Sequence, residues 1–181
     1  MSIDNIIFLL IVGVLFLYII LALVRSLRLV PARMEFIVER FGRYNTTLNA
    51  GFHFLIPFVD RVAFIQDLKE HTMDVPPQTC FTKDEIQVEV DGVIYLQVID
   101  SQKASYGITD FQYASIQLAQ TTTRAIIGTL DLDRTFEERE AISGKVVSVL
   151  DSAAAKWGVK ILRFEIKNLV PPESVRQSME K

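Results

Sequence analysis

From Ile6 to Val24 the chain reads IIFLLIVGVLFLYIILALV without a single charged residue; beyond it, apolar positions recur first with a period of two and then with a period near 3.6. As a helix the uncharged run would be roughly 28 Å long at about 1.5 Å per residue, the thickness of a bilayer's hydrocarbon core. It predicts a transmembrane helix over residues 6–24, after a short extracytoplasmic segment, 1–5. A cleaved signal peptide would need a basic start and a small-residue cleavage site. MSIDN carries Asp4 and no Lys or Arg, and RSLRLVPAR after the run offers no such site. Arg25, Arg28 and Arg33 all follow the run, so the positive-inside rule puts the N-terminus outside and the body on the cytoplasmic face. The expected product is a single-pass protein, with the bacterial inner membrane as its expected location.

The period-two region begins with MEFIVERFGRY (Met34 to Tyr44) and RVAFIQDL (Arg61 to Leu68), which read as neighbouring strands, with NTTLNAG as turn material between them. EIQVEVDGVIYLQVID (Glu85 to Asp100) sets Ile86, Val88, Val90, Ile94, Leu96 and Val98 against Gln87, Glu89, Asp91 and Gln97. It is a long strand, or two strands bent at Gly92, with one buried face.

The helical period follows. ITDFQYASIQLAQTTTRAIIGTL places Thr109 and Gln112 at capping-box spacing, lines up Ile116, Ala119, Thr123, Ile126 and Ile127, and ends at Gly128. RTFEEREAISGKVVSVLDSAAAKWG repeats the device: Thr135 with Glu138 as a box, a stripe of Phe136, Ile142, Val146, Val149, Leu150 and Ala153, and Gly158 just past the end. A last strand, VKILRFEIKNL, meets Pro171-Pro172, and a further helix is expected from Glu173. Strands, then helices, then a strand make an α+β domain, not the regular alternation of a doubly wound sheet.

Composition changes this picture little. The apolar content of 50% is high for a soluble domain, and the first run accounts for it. A net charge of −3, with no block of like charges, gives no support to nucleic-acid binding. The one cysteine, Cys80, excludes an intrachain disulfide framework. Phosphate-binding glycine loops, a G-x-S-x-G elbow and H-E-x-x-H are all missing from the sequence. His53 and His71 have no partner at zinc-ligand spacing. Cys80 reads as a small buried hydrophobe, and Glu137, Glu138 and Glu140 as first-turn helix charges. Asn45-Thr46-Thr47 reads as a polar turn before it reads as a glycosylation sequon. The expectation is therefore of no catalytic residue, no metal and no cofactor.

Four segments stand in order along the chain: VPARMEFIVERFGRYNTTLNAGFHFLIPFVDRV, TKDEIQVEVDGVIYLQVID, ITDFQYASIQLAQTTTRAIIGTLDLDRTFEERE and WGVKILRFEIKNLVPPESV. Together they resemble the SPFH family of stomatin, prohibitin, flotillin and their bacterial relatives, and in particular its stomatin-like, or paraslipin, branch. The resemblance runs from Val30 to the end of the chain. It implies an α+β, two-lobed SPFH (prohibitin-homology) domain on a membrane anchor, with no catalytic centre. Residues 27–98 would form a first, mainly β and membrane-facing lobe, and residues 99–172 a second lobe of helices plus a strand. It also implies assembly into large rings or cages that organise membrane microdomains and enclose or regulate membrane proteins such as proteases. Ala50 and Ser101 stand where proline is common in the family. Residues 173–181 would begin a C-terminal helix, the chain being truncated before the long coiled coil of its relatives.

Two surfaces stand out. GFHFLIPF, Gly51 to Phe58, crowds apolar side chains around Pro57, which denies the segment a place in a central strand. It can be a buried core segment or can press on the near leaflet. Its proximity to the span and its aromatic content favour the leaflet, through Gly51, Phe52, Phe54, Leu55, Ile56, Pro57 and Phe58. The second surface is Val93, Tyr95, Ile99, Phe111, Tyr113 and Leu118, apolar positions off the main stripes and so a candidate oligomer contact with a second copy of the chain. The expected partners are the chain itself, the lipid bilayer and a membrane protease, with no nucleic acid. The alternative is an accessory subunit or monomeric adaptor of such a protease.

Overall fold

Helix α1 (Ile3–Ser26) opens the computed structural model, which describes residues 3–172 and, within α1, the side chains from Leu10 onward except that of Arg25. The helix thus starts inside the segment expected to be extracytoplasmic. The helix expected from Glu173 lies outside the described residues, as does the side chain of Arg25. Among the described residues no helix is long and apolar enough to cross a membrane; the uncharged run of the sequence begins at Ile6, ahead of the first described side chain.

The chain divides into two compact units, one ending at Asp67 and the other beginning at Leu68. The expected division at 98/99 is corrected by strand pairing. The long strand read around Gly92 pairs on both sides within the second unit and with nothing in the first.

In the first unit β1 (Leu27–Val30) pairs antiparallel with β4 (Gly51–Phe54). A second sheet has the order β3-β2-β5, built from β2 (Met34–Arg40), β3 (Arg43–Leu48) and β5 (Asp60–Asp67). The expected strand Met34 to Tyr44 is two strands: Phe41 (φ 50°) and Gly42 (φ 75°) both enter the left-handed region and turn the chain as a two-residue hairpin. Thr46, Thr47 and Leu48, read as a turn, are strand residues, in keeping with the β preference of threonine. Val30, Val38, Leu48 and Leu55 form the core, with Met34, Phe36 and Val62 packed against it.

In the second unit β6 (Glu70–Phe81), β7 (Gln87–Val98) and β8 (Val159–Val170) make an antiparallel sheet in that order. β6 was not expected, because Pro76-Pro77 breaks its sequence pattern. The register shifts between Val75 and Gln78, so the prolines sit in an irregularity of an edge strand, where a missing N–H costs no ladder bond. β7 is one strand; a Cβ on Gly92 would lie 2.8 Å from the Phe164 ring, so glycine lets that ring cross it.

The helices start differently from the expected pattern. A short helix α2 (Ser101–Tyr106) is capped by Asp100, and α3 (Phe111–Ile127) by Asp110, whose side chain accepts from the Tyr113 N–H, so the cap is not Thr109. Next come α4 (Leu132–Glu137) and α5 (Arg139–Ala154). The expected Thr135–Glu138 box is absent: Thr135 is buried inside α4 and donates to the Asp131 carbonyl, while Glu138 makes no side-chain cap bond. The buried stripe of α5 is Ile142, Val146, Leu150 and Ala154, at a spacing of four, leaving Val149 exposed and Ala153 only partly covered. Gly158 ends the following 3-10 turn in the left-handed region, as expected. The main core joins Ile94, Leu96 and Val98 of β7 to Val159, Ile161 and Phe164 of β8 and to that α5 stripe.

Candidate membrane-docking surface

Alternation fixes the geometry of the small sheet. Leu27 pairs with Phe54 and Leu29 with Phe52, so these four share one face; Arg28 with His53 and Val30 with Gly51 occupy the other. Val30 is buried in the core, whereas Leu27, Leu29, Phe52 and Phe54 are all exposed, Leu29 to 73%. Leu27 and Leu29 escaped the sequence reading, although their own alternation after the apolar run was a usable signal.

After β4 the chain dips inward once and comes out again. The Leu55 N–H donates to the Ser26 carbonyl at 2.9 Å, and the Leu55 side chain is 8% exposed, so this residue belongs to the core and not to the expected lipid-facing set. Ile56 is exposed and Pro57 half-covered. Asp60 closes the turn: its own N–H donates to the Ile56 carbonyl at 3.0 Å, and its carboxylate accepts from the Ile56 N–H at 3.0 Å. Arg40 grips the same carboxylate with both ends of its fork, Nε to Oδ1 at 2.8 Å and Nη2 to Oδ2 at 3.1 Å. Those bonds from Arg40, chiefly, hold the Asp60 carboxyl below its ordinary range.

At the crest of this turn stands Phe58, 80% exposed and at φ 66°, a conformation that costs a bulky L-residue energy. Its ring stacks on Tyr18 of α1 at 6.2 Å between centroids. Tyr18 lies about 9 Å up the helix from Val24 at about 1.5 Å per residue, well within the apolar run. From Leu10 to Val24 the large apolar side chains of α1 are exposed on every side of the helix. The apolar turn thus meets α1 at Phe58, and the small sheet that carries the exposed apolar face begins where α1 ends and closes where the turn begins.

The other sequence-derived sites fare differently. Arg28 and Arg33 are exposed just after α1, Arg33 at φ 66°. Of the candidate oligomer residues, Ile99 and Tyr113 are exposed, but Val93 is buried and Phe111 and Leu118 pack against the main core. Tyr95 is covered by the Arg163 guanidinium, 4.2 Å from its ring centre, and Arg163 in turn pairs with Glu165. Long polar side chains of β8 cover Tyr95 on this face of the sheet. The structure therefore does not gather the six into one apolar patch.

No group of three or more His, Cys, Asp or Glu able to hold a metal occurs among the described residues. His53 Nε2 lies 2.7 Å from the Asn49 carbonyl. Cys80 is buried, and burial pushes its thiol up, only partly offset by the neighbouring Arg124.

The SPFH domain / Band 7 family model matches residues 28–181. The human stomatin-like protein 2, mitochondrial, is 44% identical over 151 residues, which cover 83% of this chain and 42% of that protein. The stomatin-like protein stl-1 of Caenorhabditis elegans is 39% identical over 151 residues, 83% of this chain and 47% of its own length. An uncharacterized protein of Methanothermobacter thermautotrophicus is 40% identical over 157 residues, 87% and 49% of the two chains. The chain spans less than half the length of these relatives, and the matched family region takes in the first unit from Arg28 onward, with the apolar turn that carries Phe58, and the second unit. This chain belongs to the SPFH domain / Band 7 family.

Proposed function

We propose that the chain is the anchored part of a non-enzymatic membrane scaffold: α1 crosses the bilayer once with its N-terminus outside, and the two units lie at the cytoplasmic face. The observation that carries this is the stacking of Phe58 on Tyr18, which sets an exposed aromatic turn beside the apolar run instead of away from it. A helix apolar all round must be covered by something equally apolar, and lipid is the simplest cover. Arg28 and Arg33 after the helix support the orientation.

Family membership supports the scaffold role, in which anchored copies assemble into large rings or cages that organise membrane microdomains and enclose or regulate proteins such as membrane proteases. A second reading, a monomeric adaptor or accessory subunit of such a protease, draws on the cover over Val93, Phe111 and Leu118, which leaves the second unit little apolar surface for a neighbour. Sedimentation of the full-length protein in several mild detergents separates the two. The scaffold reading expects a particle many times the subunit mass; a monomer or dimer throughout leaves the adaptor.

A further inference from the structure

Beside the C-terminal part of α1 the first unit bears an open cavity of about 530 Å³ whose lining combines apolar and cationic side chains. Tyr18 and Leu21 of the helix line it together with Phe58, whose ring stacks on Tyr18, and so do Arg28, two residues past the end of α1, and Arg61 of β5. Asp60, which also lines it, is already committed to Arg40 and to the Ile56 N–H. The side chains of Arg28 and Arg61 have no ion-pair or hydrogen-bonding partner among the described residues, and both residues are exposed. Two unpaired guanidiniums facing one cavity repel each other unless an anion joins them, and their planar forks suit the oxygens of a phosphate.

The order of the lining matters more than its composition. Arg28 follows the end of α1, while Tyr18 and Leu21 lie progressively deeper in the apolar run. Along the helix axis the cavity is thus cationic where headgroups would be and aromatic or aliphatic where acyl chains would be.

We infer that this cavity holds one anionic phospholipid, its phosphate between Arg28 and Arg61 and the start of an acyl chain against Tyr18, Leu21 and Phe58. The inference rests on the membrane reading of α1 above and adds to it a headgroup preference at a defined place. A free phosphate would satisfy the two arginines but leave the aromatic end empty.

The test uses the full chain in nanodiscs of phosphatidylcholine doped with a trace of fluorescent phosphatidylglycerol, energy transfer being read from a donor dye on the soluble face. Wild type should enrich the anionic probe around itself over a matched phosphatidylcholine probe. The double variant Arg28→Gln, Arg61→Gln should lose that preference by about tenfold or more, each charge near the surface contributing to lipid attraction. Arg43→Gln, on the hairpin, should retain it. Arg28→Lys, Arg61→Lys keeps the charge and loses the fork, and should fall between the two. Unchanged preference in the double glutamine variant overturns the site. Displacement of the probe by millimolar inorganic phosphate alone assigns the arginines to a free anion and also overturns it. Failure of wild type to enter phosphatidylcholine nanodiscs at all would instead defeat the membrane reading, a separate result.

Discussion

Asp60 shows how much of this surface depends on single polar residues. One carboxylate ties Arg40 of β2 to the turn that presents Phe58, and it has almost no contact with water, its side chain being 4% exposed. Because Arg40 and the Ile56 N–H lower its pKa in the folded state, its contribution to stability is complete above the ordinary carboxylate value near 3.8. It disappears as pH falls through the lower, folded-state value. Asp60→Asn should flatten this acid limb of a thermal-unfolding profile taken from pH 7 down to 2, and should lower the melting temperature at neutral pH by about 5 °C or more. A variant whose acid limb is identical to wild type would show that the pair contributes nothing. In the second unit a single glycine, Gly158, has a comparable local role. At φ 69° its carbonyl accepts the N–H groups of both Ile99 and Asp100, and a Cβ there would meet the Asp100 carbonyl and lie 2.8 Å from Lys103 Cβ. Gly158→Ala combines left-handed strain with that clash and should cost about 2 kcal/mol or more in urea unfolding.

Among the elements, those with a clean period were legible and those with a break were not. The β7 alternation and the start of β8 could be read directly, as could α3 with its Gly128 end. β8 then departs from a simple alternation, since Val159, Ile161, Phe164 and Leu169 are buried together. Its register against β7 skips Leu162 and Lys167, so each works as a bulge that resets the face, which no single-strand pattern can show. β6 was hidden by its prolines, the Phe41 hairpin by a turn residue that prefers negative φ, and β1 by its place at the end of an apolar run. Crowding around Pro57 marks the apolar turn in the sequence, but the pattern does not show that Leu55 turns in while Phe54 and Phe58 turn out. That division predicts depth. Cys80 is buried, so a dye on Phe54→Cys in the full chain is site-specific. In nanodiscs it should be quenched by spin labels high on the acyl chains, whereas a dye on Thr72→Cys should not. Equal quenching at both sites would remove the turn from the membrane.

Across the whole chain, exposed apolar area is distributed unevenly, and the distribution bears on how copies would associate. α1, the β1-β4 face and the Phe58 turn, neighbours along the chain, carry most of it, whereas in the second unit it is spread over several elements, as at Phe81 of β6, Tyr106 of α2, and Leu162 and Val170 of β8. Isolated residues of that kind are ordinary surface and supply little drive to associate. The surplus apolar face anticipated for the second unit is absent because α3 and α5 cover one side of the sheet and paired or stacked polar side chains cover much of the other. Contacts between copies would therefore be weak alone and would rely on the anchor, which raises local concentration, and on whatever further segments the full-length protein has. A fragment of residues 27–181 should consequently sediment as a monomer at micromolar concentration, and Ile99→Asp with Tyr113→Asp should leave both that result and the full-length particle unchanged. If the fragment instead forms a large assembly without lipid, and the two substitutions dissolve it, the second unit carries a strong contact despite its covered core and the anchor is not what brings copies together.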